Sequence, residues 1–311
     1  MYHIIVNPVA GRGYSFARLQ TLVALLDNNG IPYKVLNTTA PFDGYEKAKH
    51  ACQNGSSGII AIGGDGTIQE IVAGMVAAHV GQTPLQTPLG IIPCGSGNDF
   101  ALSLYGKETS YLSKYSEAAN KQAAEAVLNA ITHCHIRNID ILKANDTAYL
   151  NIGNFGLDAR IVKNATPLKK KFGQHAYYAA IYKSIAQHTN IPLRIKIDNQ
   201  LIEGYYTLVA VCNGQYYGGG IHIAPPAELD SGHITVCLIE ALSRPKCMVL
   251  FPSLLFSLHT HLKEVRFLHC KSLSITIPER ETLCLDGNLY EKSGTISFEI
   301  MPRALKVFLS S

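Results

Sequence analysis

The sequence predicts an α/β fold class: an N-terminal α/β domain, residues 1–133, followed by a C-terminal antiparallel β-sandwich domain, residues 134–294. Three observations predict it. The 311 residues suffice for about two domains at roughly 150 residues each. Up to about residue 130, short apolar runs alternate with stretches of helical period, as in a parallel sheet with helices on both faces. Beyond residue 132, alternating or β-branched runs punctuated by turn residues take over, as in an antiparallel sheet or sandwich.

The elements follow in order. Tyr2 to Val6 reads as a buried strand that ends in the turn Asn7-Pro8-Val9-Ala10-Gly11. Phe16, Leu19, Leu22, Val23 and Leu26 form a helical stripe over Ser15 to Asn28, with Gly30 as its stop. Tyr33 to Leu36 is a second strand, and Asp43 with Glu46 has the spacing of a capping box. Gly58 to Ile62 and Leu89 to Ile92 are the third and fourth strands, with a helix opening at Thr67 between them. The later strands are Ile136 to Leu142, Tyr149 to Gly153, Leu193 to Ile197, Tyr205 to Val211, Ile234 to Ile239, Leu273 to Ile277 and Ile296 to Ile300. Ala176 to Gln187 and Met248 to His259 read as helices among them.

Composition narrows the classes. Hydrophobic residues at 47% and charged residues at 16% exclude a disordered chain. The net charge of +4 is too small to predict nucleic acid as a partner, though it tolerates an anionic ligand or surface. The 8 cysteines include no C-x-x-C pair and mostly sit in apolar runs, so they read as core residues of a reducing compartment. The N-terminus lacks a basic lead-in, and the longest apolar run, Cys247 to Leu258, is broken by Pro252. The expectation is a cytoplasmic protein without a signal peptide or a membrane-spanning helix.

Three glycine-rich turns each follow a predicted strand of the first domain: Asn7 to Gly13, Gly63-Gly64-Asp65-Gly66-Thr67, and Pro93-Cys94-Gly95-Ser96-Gly97-Asn98-Asp99-Phe100. In a parallel sheet these turns share one edge, where glycines let backbone N–H groups approach a ligand and the next helix adds its positive end. With the hydroxyls of Thr67 and Ser96, such a crevice suits a polyphosphate. Asp65 and Asp99 would repel that ligand unless a cation sat between, so the pair points to Mg2+ with a nucleotide. The sequence contains no G-x-x-x-x-G-K-[ST] run, and G-x-G-x-x-G is absent after the first strand.

These motifs resemble the diacylglycerol kinase catalytic family, in particular soluble bacterial lipid kinases, which share it with sphingosine and ceramide kinases. The matching stretches are N-P-x-x-G-x-G at Asn7 to Gly13, G-G-D-G-T at Gly63 to Thr67, and Gly95-Ser96-Gly97-Asn98-Asp99-Phe100-Ala101, where Ser96 replaces a threonine. Further landmarks are Ile139-Asp140, Asn154 to Asp158, Gly218-Gly219-Gly220 with Ala224-Pro225, Leu229 to Gly232, and Leu285-Asp286-Gly287. The resemblance implies a lipid kinase with ATP in a cleft between the two domains and a last segment, residues 295–311, that returns to the first. The nucleotide set is then Asn7, Gly11, Arg12, Gly13, Thr39, Gly63, Gly64, Asp65, Gly66, Thr67, Gly95, Ser96 and Asn98. Asp65, Asp99 and Asp140 correspond to an aspartate–water network around Mg2+, Asp230 to a structural metal position, and Asp286 to the general base that takes the lipid hydroxyl's proton. This chain departs from the usual D-G-E at that base, reading Asp286-Gly287-Asn288, and Glu291 is the nearest carboxylate that could stand in.

The implied acceptor is diacylglycerol or a related lipid. Leu168 to Gly173, with its three lysines, and Met248 to Leu258, flanked by Arg244, Lys246, Lys263 and Arg266, read either as a basic, apolar surface for an anionic inner membrane face or as a solvated turn and a packed helix. Tyr216 and Tyr217 are cleft candidates, and a homodimer is left open. The histidines have no ligand spacing; His259 and His261, two apart, do not share a helix face. Two rival functions remain: an NAD kinase-like small-molecule kinase, since G-G-D-G is shared with those enzymes, and a low-activity nucleotide- or lipid-binding protein, motivated by Asn288.

Overall fold

The computed structural model describes residues 1–106, 116–172 and 175–309, of which 166–172, 175–179 and 255 are described by their backbone alone. The side chains of Leu168 to Gly173 and of His175 therefore lie outside the described residues. The chain divides into two compact units, Met1–Ile141 together with the segment from Met301 onward, and Leu142–Ile300. The sequence expectation placed these limits at residues 133 and 295. Both crossings fall inside continuous strands, Ile136–Ala144 and Asn288–Phe308, so no turn residue marks them.

In the first unit β1 (Tyr2–Val6), α1 (Tyr14–Asn28), β2 (Tyr33–Asn37), α2 (Asp43–Gln53), β3 (Gly58–Gly63), α3 (Asp65–Ala78), β4 (Leu89–Pro93), α4 (Asp99–Tyr105) and α5 (Glu117–Thr132) lead into β5 (Ile136–Ala144). The sheet is parallel in the order β2–β1–β3–β4, with Ile4 opposite Val35 on one side and Ile60 on the other. Residues 301–308 add a further parallel strand beside β4, where Val307 pairs with Leu89. Every residue of β3 and β4 is buried, as expected of a parallel strand covered on both faces. Ile4, Val6, Ile60, Ile62 and Ile92 pack with Leu19, Leu22 and Leu26 of α1 and Ala123, Ala124 and Val127 of α5. On the other face α2 and α3 pack on each other and on β1 and β3.

The helix starts differ from expectation in instructive ways. The buried stripe of α1 is Ser15, Arg18, Leu19, Leu22 and Leu26, which leaves Phe16 58% exposed. Asp43 does not form a capping box. Its carboxylate reaches back to the N–H and hydroxyl of Thr39, at 2.8 and 3.0 Å, and pairs with Lys47 at 2.5 Å. Those bonds, led by the one from Lys47, hold its carboxyl below the usual range. The third helix begins at Asp65 rather than Thr67, with Gly64 as its cap.

The second unit contains β6 (Thr147–Tyr149), β7 (Ile152–Gly156), α6 (Leu157–Phe172), α7 (His175–Ala186), β8 (Ile191–Ile197), β9 (Gln200–Cys212), β10 (Tyr216–Tyr217), β11 (Ile221–His222), β12 (Ile234–Glu240), α8 (Arg244–Leu255), β13 (Val265–Cys270), β14 (Ser272–Leu285) and β15 (Asn288–Phe308). The pairings among β7, β8, β9, β12, β13 and β14, and of β14 with β15, are antiparallel. Both β7 and β8 pair with β9 and with β14, which folds the sheet over an inner core. In β8 strict alternation points Ile191, Leu193, Ile195 and Ile197 inward. In β9 Val209 and Val211 enter that core, while Leu208, Ala210 and Cys212 face a second one shared with Ile161 of α6, Ile181 and Ile185 of α7, and Leu250 and Leu254 of α8. A strand buried on both faces explains why its sequence is an unbroken apolar run.

The cysteines are all free thiols; six are buried, Cys52 is half-buried and Cys134 is exposed. Among the described residues no helix is long and apolar enough to cross a membrane.

Candidate active site

The strand order of the first unit reverses direction between β1 and β3, and ligands of open α/β sheets bind at the carboxyl ends of strands flanking such a point. The first two glycine turns follow those strands, and the third follows β4, the neighbour of β3. Asn7, just after β1, donates from Nδ2 to the Thr67 hydroxyl at 3.1 Å, and its N–H bonds the Ile62 carbonyl at 3.0 Å. Gly11, Arg12 and Gly13 take left-handed angles in succession, at φ 60°, 57° and 93°, a backbone concavity of the kind that binds anions, and then open α1. The turns after β3 and β4 are pressed together. A Cβ on Gly64 would lie 2.9 Å from the Gly95 Cα, and one on Gly95 would lie 2.7 Å from the Gly64 Cα. No side chain fits at either position, which is why this pair must be glycine.

Asp65 and Asp99 converge on the same spot. A Cβ at Gly97 would meet Asp99 Oδ2 at 2.7 Å and Asp65 Oδ2 at 3.2 Å, so Gly97 leaves open the space that two carboxylate oxygens face. Asp65 Oδ1 accepts the Phe100 N–H at 3.0 Å, and Asn98, at φ 58°, turns its Oδ1 onto the Gly95 N–H at 2.6 Å. Burial raises the Asp65 carboxyl above its ordinary value, opposed by the backbone N–H groups of Phe100, Asp99 and Asn98. A desolvated carboxylate beside a second one is the situation a divalent cation relieves. Among the described residues no three His, Cys, Asp or Glu side chains gather for a metal. Two carboxylates with phosphate oxygens and water completing the shell is the coordination Mg2+ favours, so Asp65 and Asp99 fit such an ion. Gly97→Ala is expected to abolish divalent-cation binding by filling that space, with the fold retained; isothermal titration of the variant with Mg2+ and ATP, beside a melting curve, checks it.

The remaining predicted residues fall as follows. Gly63 packs against Thr67, where a Cβ would lie 2.7 Å from the Thr67 Cβ. Gly66 continues the first turn of α3, and Ser96 is exposed at the crest of its turn. Thr39 is engaged at the start of α2 by Asp43. Asp140 is fully buried in β5 and accepts the Arg303 N–H at 2.7 Å. In the second unit Asp230 lies half-buried in the turn before β12.

Sequence reasoning missed Arg18. It is fully buried, donates to the Pro93 carbonyl, and holds Asn120 Oδ1 from Nε at 3.2 Å. It therefore ties α1 and α5 to the start of the turn that carries Asp99. The one signal was an arginine beside the apolar stripe of a helix.

In the second unit Asp286 and Gly287, at φ 46° and 90°, form the two-residue turn between β14 and β15, with Leu285 opposite Asn288. The Asp286 carboxylate accepts backbone N–H groups from three consecutive residues. Oδ2 takes Leu150 at 2.7 Å and Asn151 at 3.3 Å, while Oδ1 takes Asn151 at 3.0 Å and Ile152 at 2.8 Å. This explains why the run Tyr149 to Gly153 is not one strand: its middle amides serve a carboxylate 136 residues away in sequence instead of a ladder. Asn213 and Tyr216 brace the same turn, through Asn213 Nδ2 to the Leu150 carbonyl at 2.8 Å and Asn151 Nδ2 to the Tyr216 carbonyl at 2.5 Å. Glu291 does not stand in for the carboxylate missing at Asn288. Three residues apart on one strand, the two point to opposite faces. Glu291 accepts Lys163 at 2.7 Å and Thr282 at 3.0 Å, with Arg280 at 3.5 Å, and Lys163 first among these holds its carboxyl low.

Residues 1–144 match the diacylglycerol kinase catalytic domain, and residues 152–309 match the YegS C-terminal NAD kinase beta sandwich-like domain. A Staphylococcus haemolyticus protein named diacylglycerol kinase is 27% identical over 275 residues, 88% of this chain and 77% of its own. The crystal structure of a candidate diacylglycerol kinase from Bacillus anthracis superposes with a TM-score of 0.77 at 24% identity, over 99% of this chain and 96% of that one. An NAD kinase from Archaeoglobus fulgidus in complex with ATP shares the fold at a TM-score of 0.55 and 13% identity, covering 100% and 94%. With both units matched in order and nearly from end to end, the chain belongs to the family that joins a diacylglycerol kinase catalytic domain to a YegS C-terminal NAD kinase beta sandwich-like domain.

Proposed function

We propose that the protein transfers the γ-phosphoryl group of ATP to the hydroxyl of a lipid, diacylglycerol or a close relative, with Mg2+ at Asp65 and Asp99. The observation that carries this is the fused pair of turns in the first unit, where Gly64 meets Gly95 and two carboxylate oxygens face the space left by Gly97. Such a site holds negative charge on both sides and binds a polyphosphate only through a cation. Magnesium bound there would supply neutralisation of the phosphate charge as it shifts during transfer. The chain's own groups do the rest. The N–H groups around Gly11 to Gly13 and the hydroxyls of Thr67 and Ser96 hold phosphate oxygens, and Arg18 keeps the third turn in register. Asp286, rigid in its cradle of amides, is the assigned acceptor for the lipid hydroxyl's proton. The relatives named diacylglycerol kinase support a glycerolipid acceptor over a soluble one.

The test offers purified protein ATP and Mg2+ with diacylglycerol, phosphatidylglycerol, sphingosine or NAD+ in parallel reactions. Product is expected with a lipid, and Asp65→Asn is expected to lower kcat/KM at least about 100-fold. The ATP-bound NAD kinase of the same fold keeps a second reading in view. Phosphorylation of NAD+ alone establishes that reading and removes the first.

A further inference from the structure

Helix α8 is apolar on two opposite sides. Cys247, Leu250 and Leu254 point inward and are at most 2% exposed, part of the core beneath β9 and β12. About half a turn around the helix, Met248, Val249, Pro252 and Phe256 form a stripe at spacings of three and four residues, open to solvent. Val249 is 67% and Phe256 73% exposed, and Leu258, just beyond the helix, is 56% exposed. A helix of a water-soluble fold ordinarily turns a polar face outward; one that is apolar all round belongs in a nonaqueous setting. Two cations flank the stripe on the helix itself: Arg244, exposed, lies four residues before Met248, and Lys246, three before Val249, pairs with Glu264 at 2.8 Å. Lys263 is exposed in the segment that links α8 to β13, so the basic groups number three against the one carboxylate of Glu264. Arg266 is not among them: opposite Leu238 of β12, it points to the other face of the sheet, near Glu240.

We propose that this outward face of α8 docks on an anionic lipid bilayer, seating Val249, Phe256 and Leu258 among the acyl chains near the headgroups. The proposal rests on the lipid-kinase reading for its purpose, since an enzyme acting on a lipid hydroxyl must meet that lipid in a membrane. Its physical case is separate. The 12 residues of α8 extend about 18 Å, well short of the roughly 30 Å hydrocarbon core, so the helix lies in the plane of the interface. Basic residues around an inserted apolar stripe add attraction to acidic headgroups that weakens with salt. A second copy of the chain fits the same face poorly, because two-fold pairing would set one cationic border against the other.

The sequence has no tryptophan, which gives a clean probe. Phe256→Trp places a sole indole on the stripe. Its emission is expected to shift to the blue on adding vesicles of mixed phosphatidylcholine and phosphatidylglycerol, and to stay put with phosphatidylcholine alone. In sedimentation with the mixed vesicles, Val249→Asp/Phe256→Asp is expected to lower the bound fraction at least about tenfold relative to the unaltered protein, and high salt to lower it for both. An unshifted indole, equal sedimentation of the two proteins, or a dimer of the unaltered chain that the double substitution dissociates would each overturn the proposal. Phosphorylation of a short-chain diacylglycerol dispersed as monomers tests the kinase reading by itself. Both proteins are expected to turn it over equally, and absence of turnover refutes the kinase assignment while leaving the vesicle result to stand or fall alone.

Discussion

Asp286→Asn is expected to lower kcat by about 1,000-fold while ATP binding to the first unit survives. On the proposed reading this removes the charge that accepts the hydroxyl proton, and general-base catalysis is worth roughly 10² to 10⁴. The structure adds a consequence that a base assignment alone does not carry. An amide presents one oxygen where the carboxylate presents two, so its NH2 group faces N–H donors of the Leu150–Ile152 turn that need an acceptor. Asp286→Ala goes further and leaves all three amides without that partner, at about 1–3 kcal/mol for each one kept from water. The Ala variant is therefore expected to melt well below the parent, and the Asn variant in between. Melting curves recorded beside kcat and ATP affinity separate the two roles. Loss of kcat with unchanged melting assigns the charge to chemistry, parallel loss of both assigns it to holding the turn, and near-normal kcat in Asp286→Asn removes it from catalysis.

Asp158 should make stability fall with rising pH across the acid-to-neutral range, and Asp158→Asn should remove that contribution. Asp158 is 4% exposed and sits at the start of α6, where burial pushes its carboxyl up to about 7. Hydrogen bonds oppose the shift only in part, from the Ala159 N–H at 2.8 Å, from Asn154 Nδ2 at 2.5 Å and from the backbone of Asp158 itself. The folded state thus holds this proton more tightly than the unfolded chain, whose aspartates titrate near 3.9. Below about pH 4 both states are protonated and nothing is lost. Between about 4 and 7 the unfolded state ionises first, and stability declines by about 4 kcal/mol in total, then levels off. Asn154 Oδ1 is buried without a hydrogen-bond partner. A flip of that amide lets it accept from an Asn side chain at 158, so the substitution has a partner ready. Urea midpoints of parent and variant at pH 4.5 and 8 check this. The expected gap in favour of the variant is large at pH 8 and small at pH 4.5, and equal gaps at both would refute it.

How much of this was legible depends on whether the cause was local. The glycine turns were readable because Gly64 and Gly95 admit no side chain and Asp286-Gly287 suits a two-residue hairpin turn; each carries its reason in its own composition. The parallel strands announced themselves as short apolar runs. Helix α6 did not: Asp158, Lys163 and Asn164 break the apolar pattern, and Thr166-Pro167 reads as a stop, yet the backbone remains helical to Phe172. Arg18 was hidden because a buried cation looks like any surface residue until its acceptors, the Pro93 carbonyl and Asn120, are brought to it from elsewhere in the chain. The break in the run from Tyr149 to Gly153 and the engagement of Glu291 by Lys163 and Arg280 are likewise products of long-range contact, which no local pattern encodes.

Because the polypeptide passes between the units once through β5 and again through β15, a single crossover does not transplant either unit whole. A swap of residues 1–141 alone would bring in a β4 whose edge must be met by a strand of different sequence, and an Asp140 that relies on the backbone of that strand for its hydrogen bond. Moving the first unit whole therefore takes two junctions, one in each linking strand, so that the strand closing its sheet travels with the rest of it.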